Sequence, residues 1–184
     1  MKRIAVIVGS IRANAFSLQT AKALIAAAPK DRSFEFEVVE IAQLPLYNQD
    51  SDAASPEVYT AFRAKIAAFD AVLFVTPEHN RSFPAALKNA LDVGSRPWGK
   101  NVWSGKPGAV ASISIGGISG FGANHHLRQV LSFLNVPVMA QPEFYLGSVM
   151  AVFDESGAVK DQASTSFFSS FMVAYCDWVE KLTA

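Results

Sequence analysis

Two short polar segments, each beside an apolar run, hold side chains suited to binding a ligand. The first is Gly9-Ser-Ile-Arg-Ala-Asn-Ala-Phe-Ser17. It follows a short apolar run and precedes a helical pattern. At such a junction the unpaired N–H groups of the first helical turn and the positive end of the helix dipole point at one spot, which favours an anion. Ser10, Asn14 and Ser17 add short side-chain donors, and the Arg12 guanidinium is a fork matched to phosphate oxygens. The segment lacks the Lys-Ser or Lys-Thr of a Walker loop and, with one glycine, lacks the dinucleotide fingerprint. A Ser/Asn-rich loop without lysine suits a terminal monophosphate. A plain strand-to-helix cap uses the same residue types.

The second segment is Thr76-Pro-Glu-His-Asn-Arg-Ser-Phe-Pro-Ala-Ala-Leu-Lys-Asn-Ala-Leu-Asp92. Pro77 stiffens its start. The amides of Glu78, His79 and Asn80 are expected to face the polar edge of a planar ring, and the His79 imidazole can lie against a ring face. Ser82 is expected to cap the next helix, with Pro84 in its first turn. A polar turn ending in a cap would need no ligand.

Strand and helix patterns alternate along the chain on either side of these loops. Ile4–Val8 and Ala71–Val75 are continuous apolar runs, as in strands buried on both faces. Phe34, Phe36 and Val38 alternate with glutamates, which predicts a strand with one wet face near an edge. Gly108–Ile115 reads as the fourth strand. Val136-Pro-Val-Met139 reads as the fifth, at an edge or strand start because of its proline. Between the strands, apolar residues recur at helical spacing: Leu18 to Ala28, Tyr59 to Phe69 behind a Ser55-Pro56 start, Leu87 to Leu91, and Leu127 to Leu134. A last helix runs from about Thr165 to Leu182, with Phe168, Phe171, Met172, Tyr175 and Leu182 on its stripe.

This alternation predicts an α/β fold: a doubly wound, five-stranded parallel sheet of flavodoxin-like order 2-1-3-4-5 with helices on both faces. In such sheets ligands bind beyond the carboxyl ends of the strands at the switch point. The first and third strands flank that point, so the two loops meet over one crevice, one for a phosphate and one for a ring.

The composition narrows the class. The 184 residues, 51% apolar, suit one domain over residues 1–184. Sixteen basic and 16 acidic side chains balance, without the basic excess of a nucleic-acid binder or a membrane-surface protein. The apolar runs fall short of the ~18 residues of a bilayer span, and the N-terminal run is too short for a signal peptide, so a cytoplasmic setting is expected. The single cysteine, Cys176, excludes an internal disulfide and sits in an apolar helical pattern, as a packing residue does. Asp50 and Asp52 read as a solvated loop. Adjacent on a helix, His125 and His126 diverge and chelate a metal poorly, so a helix surface or subunit contact is expected.

The two segments, GSIRANAF-S and TPEHN-S-P-ALKNALD, with the glycine pair after the fourth strand and HHLRQ, resemble the NADPH-dependent FMN reductase family from Ile4 to about Phe144. The resemblance implies tightly but non-covalently bound FMN, NADPH or NADH as co-substrate, and a homodimer or tetramer with ring sites near its interface. It also implies ping-pong transfer: hydride passes to FMN N5, and electrons then pass to small acceptors such as quinones, azo compounds, chromate or ferric complexes. By position, Ser10, Arg12, Asn14, Ala15, Phe16 and Ser17 match the phosphate segment. Pro77, Glu78, His79 and Asn80 match the ring segment, and Ser112, Ser114 and Gly116 match the stretch bordering the flavin. The family usually has Tyr at His79, Gly at Ala85 and Asn at Ser17. Arg96, in an Arg-Pro-Trp-Gly loop near Trp98 and Trp103, is a candidate contact for the reduced nucleotide or an anionic acceptor. An electron-carrier flavodoxin serving a protein partner and a flavin-free domain on the same fold stay open as alternatives.

Overall fold

The computed structural model describes residues 1–184. Five parallel strands stand in the order β2-β1-β3-β4-β5. They are β1 (Lys2–Val8), β2 (Phe34–Val39), β3 (Ala71–Pro77), β4 (Gly108–Ile113) and β5 (Phe144–Leu146). The helices are α1 (Phe16–Ala27), α2 (Glu57–Ala67), α3 (Ala85–Gly94), α4 (Phe121–Phe133) and α5 (Gln162–Leu182).

The two-residue period of the central strands sorts the core into two layers. Ile4, Val6 and Val8 of β1, Leu73 and Val75 of β3, and Ala109 and Ala111 of β4 point toward α1 and α5. Ala5 and Ile7, Val72 and Phe74, and Val110 point toward α2, α3 and α4. Both faces are therefore dry, which is why β1 and β3 read as unbroken apolar runs. On the second face Trp103 is fully buried among Phe62 and Phe74, and its Nε1 donates to Leu91 O at 3.0 Å.

Some local expectations are corrected. The fifth strand is Phe144–Leu146, paired with Ala111–Ile113. The Val136–Met139 stretch contributes only an isolated bridge between Val138 and Gly108. Pro137 has no N–H to extend a ladder there, and the chain regains its pairing only after Pro142. Ser55 does not cap α2. Pro56 holds the cap position, and the Ser55 hydroxyl instead accepts from Arg63 Nη1 at 2.9 Å. Val38, read as inward-facing, is half-exposed while its neighbour Val39 is buried, and Leu182 falls outside the core. Cys176 is fully buried, as a packing residue.

Candidate active site

The carboxyl ends of β1 and β3 lie side by side, with Val8 opposite Val75. Gly9 continues the ladder through its N–H to Val75 O at 2.9 Å. A Cβ at Gly9 would meet Thr76 Oγ1 at 2.8 Å and Pro77 Cδ at 3.3 Å. Only a glycine lets the first loop leave its strand this close to the second. The two loops border one crevice of about 450 Å³, at the switch point where the strand order reverses.

The phosphate-side wall is built from unmet donors. The cap position of α1 is Ala15, which has no side chain able to cap. The amides of Phe16 and Ser17, first in the helix, have no partner. Ser17 is 1% exposed and its Oγ is buried without a hydrogen bond. Ser10, Arg12, Ala15, Phe16 and Ser17 all line the crevice, and the exposed Arg12 faces no carboxylate. A dianionic phosphate would satisfy the helix end, the hydroxyl and the guanidinium together.

The opposite wall comes from the β3–α3 connection. His79 and Ser82 exchange both backbone hydrogen bonds, N–H to O at 2.7 Å and 3.0 Å, across Asn80 and Arg81, whose φ angles are 50° and 63°. This is a two-residue hairpin of the mirror-image turn type. Pro77, Glu78 and His79 line the crevice with it. The expectation for the amides is corrected here. Glu78 N–H is taken by Ile113 O at 3.1 Å and His79 N–H by Ser82 O, leaving only Asn80 N–H of the three unpaired. Sheet pairing that runs one residue past β3 and the tight hairpin consume the other two. Ser82 does not cap α3 either; Pro84 occupies the cap, and Ser82 Oγ bonds His126 Nδ1 at 2.7 Å.

The β4 end closes the crevice. Ser114 lines it, and its Oγ accepts from Gly116 N–H at 3.1 Å. Gly116 itself stands outside the lining. Ser112 is fully buried and stands outside the lining. Its hydroxyl donates to Ser119 O at 3.2 Å and accepts from Asn124 Nδ2 at 3.2 Å, so it ties β4 to the Ser119 turn and to α4. Asn14 opens onto a separate small pocket with Ser156 and Gly157, and Asn80 sits at the exposed hairpin tip. Sequence reasoning missed Ile113, Ile115 and Val149 in the lining. The two isoleucines follow from the strand end; Val149 comes from a distant segment that carries no motif.

Arg96 lies elsewhere. It follows the far end of α3, a helix of 10 residues, or about 15 Å. Its guanidinium rests over Tyr47 at 5.9 Å and Trp98 at 5.7 Å, in a groove of about 920 Å³ shared with Phe133. His125 packs at a tilt against Phe121 with centroids 4.2 Å apart and bonds Tyr145 O–H at 2.9 Å. Burial first, then the hydrogen bond to Glu143, pushes the Tyr145 phenol up to about 12. No group of three or more metal-ligating side chains converges.

Residues 2–151 match the family described as NADPH-dependent FMN reductase. The chain belongs to that family. A quinone reductase of Pseudomonas putida is 51% identical over 96% of this chain and 94% of its own length. A 2-hydroxy-1,4-benzoquinone reductase of a Burkholderia species is 47% identical over 96% of each. Among solved structures, the flavoenzyme NAD(P)H:(acceptor) oxidoreductase FerB of Paracoccus denitrificans superposes with a TM-score of 0.91 at 37% identity, covering 98% of both chains. The flavodoxin-like fold is thus that of a family of reductases. The protein is an FMN-dependent NAD(P)H:acceptor oxidoreductase, and the carrier and flavin-free alternatives are set aside.

Proposed function

We propose that the protein reduces quinones, with reduced nicotinamide nucleotide and acceptor using the crevice in turn, and that azo compounds, chromate and ferric complexes are further acceptors. The observation that carries the site is the uncapped, donor-rich start of α1 in the same crevice as His79. The Ser10 hydroxyl, the Arg12 guanidinium, the Ser17 hydroxyl and the free amides of Phe16 and Ser17 hold the FMN phosphate. Pro77, His79 and Ser114 border the ring, and Asn80 N–H is the remaining hairpin donor for its polar edge. Bound there, FMN supplies the acceptance of hydride and the release of electrons. The protein's own part is to bind, orient and shield, as in other cofactor enzymes. Quinone reductase relatives at 51% and 47% identity support the choice of acceptor.

The whole chain works as one domain, in a cytoplasmic setting. A second copy docks on the face that holds Trp98 and Phe133, which are 78% and 79% exposed. Arg96 serves the reduced nucleotide only across such a dimer, because in its own chain it lies at the far end of α3. The test is steady-state kinetics with NADPH and a benzoquinone on flavin-loaded protein. Parallel initial-rate lines are expected; intersecting lines would refute the shared crevice. Arg96→Ala should raise the KM for reduced nucleotide with kcat little changed, and an unchanged KM would remove Arg96 from the site.

A further inference from the structure

The hairpin that brings His79 to the crevice holds non-glycine residues, Asn80 and Arg81, at φ of 50° and 63°. Such a conformation persists only where its surroundings impose it. Three contacts do so. Arg81 Nη1 pairs with Glu78 Oε1 at 2.8 Å, and the Glu78 side chain is only 9% exposed. The backbone of α4 lies against Arg81: a Cβ on Gly122 would meet Arg81 O at 2.8 Å, a backbone atom with no freedom to yield. One turn further along α4, His126 Nδ1 bonds Ser82 Oγ at 2.7 Å, while its ring meets Phe83 edge-on with centroids 5.2 Å apart.

We infer that His126 is a positioning residue for the FMN site, acting through Ser82 to hold the His79 hairpin against the crevice. It does not line the crevice itself. Ser82 and His79 are the two ends of the hairpin and share both of its backbone hydrogen bonds. A shift at Ser82 is therefore transmitted directly to His79. The Ser82 hydroxyl, freed from a cap by Pro84 at that position, is committed to this link. Gly122 makes the approach sterically possible and His126 fixes it by a directional bond. The inference rests on the FMN-binding reading of the crevice.

The test is FMN affinity, read as quenching of flavin fluorescence when FMN is added to the flavin-stripped full chain. His126→Ala should weaken binding about fivefold, the worth of one net hydrogen bond. His126→Asn, whose side-chain amide reaches the Nδ1 position, should restore it to within about twofold of the wild-type value. In a His79→Ala background the His126→Ala effect should vanish, because coupled sites give non-additive changes. Wild-type affinity in His126→Ala would overturn the inference. So would an undiminished effect in the His79→Ala background, or a His126→Asn variant that melts like wild type but binds as weakly as the alanine variant. A wild-type chain that takes up no FMN would instead overturn the functional reading beneath it.

Discussion

Replacing Ser17 with alanine should move stability and cofactor affinity in opposite directions. Ser17 is 1% exposed, and its hydroxyl has no hydrogen-bond partner. An unmade buried hydrogen bond costs about 1–3 kcal/mol. In a helix, alanine is also better than serine by about 0.5 kcal/mol. The small void left by one oxygen offsets part of this, so flavin-free Ser17→Ala is expected to gain about 1 kcal/mol, or about 2–4 °C in Tm for a domain of this size. With the phosphate in place the sign reverses. The hydroxyl then donates to a charged acceptor, worth about 1.5–3 kcal/mol, and its loss should raise the FMN Kd roughly 10- to 100-fold. Thermal melts of stripped protein and FMN titrations by fluorescence quenching measure the two halves separately. A stripped variant that melts lower than wild type, with an unchanged Kd, would show that Ser17 belongs to the framework. The orphaned hydroxyl would then carry no message about a ligand.

Arg12→Gln should weaken FMN binding roughly tenfold at low salt while leaving the stripped protein's Tm unchanged, because the guanidinium is exposed and unpaired. Its Kd should also depend less steeply on salt than the wild-type Kd; equal salt slopes would remove Arg12 from the phosphate. Cys176 makes a prediction about alkaline stability. Burial pushes its thiol from about 9 up to about 12 in the folded protein. Above about pH 9 the unfolded chain loses this proton and the folded chain keeps it, so stability falls as pH rises toward 12. Urea melts between pH 8 and 10 should show a shallower decline for Cys176→Ala, whatever its starting stability. An identical slope would refute the assignment.

How much the sequence discloses depends on how local each cause is. β1 and β3 are legible because burial on both faces needs an unbroken apolar run, and that run is contiguous. The start of α1 is legible for the same reason: strand end, glycine and helix start lie within nine residues, Val8 to Phe16. β5 is not legible. Phe144–Leu146 is three residues long, too short to show a period, while Val136–Met139 carries the β-branched residues and fails through its proline. The amide donors of Glu78 and His79 are the sharper case. Their availability is decided by Ile113 O, far away in sequence, and by a hairpin with no Asn-Gly signature to announce it. The buried state of Ser112 is equally non-local, since it depends on Asn124 and the turn at Ser119.

The crevice is set apart by unmet polar groups rather than by size. The groove at Arg96 has about twice its volume. Yet Lys88 there is paired with Asp92 at 2.7 Å, Arg96 rests on Tyr47 and Trp98, and the large side chains of Trp98 and Phe133 stand exposed. With Lys88 committed and Arg96 held over two aromatic rings, that groove offers no buried unmet donor to a phosphate. It gains from apolar area removed from water, and exposed Trp and Arg are what protein interfaces favour. At the crevice the reverse holds: a helix end without a cap, a buried hydroxyl without a partner and a guanidinium without a carboxylate converge within one loop. The first two are costs that a phosphate removes, and the exposed guanidinium adds a positive charge for it. The same reasoning separates two partners by chemistry, a phosphate-bearing cofactor at the strand ends and a second protein surface at the far end of α3.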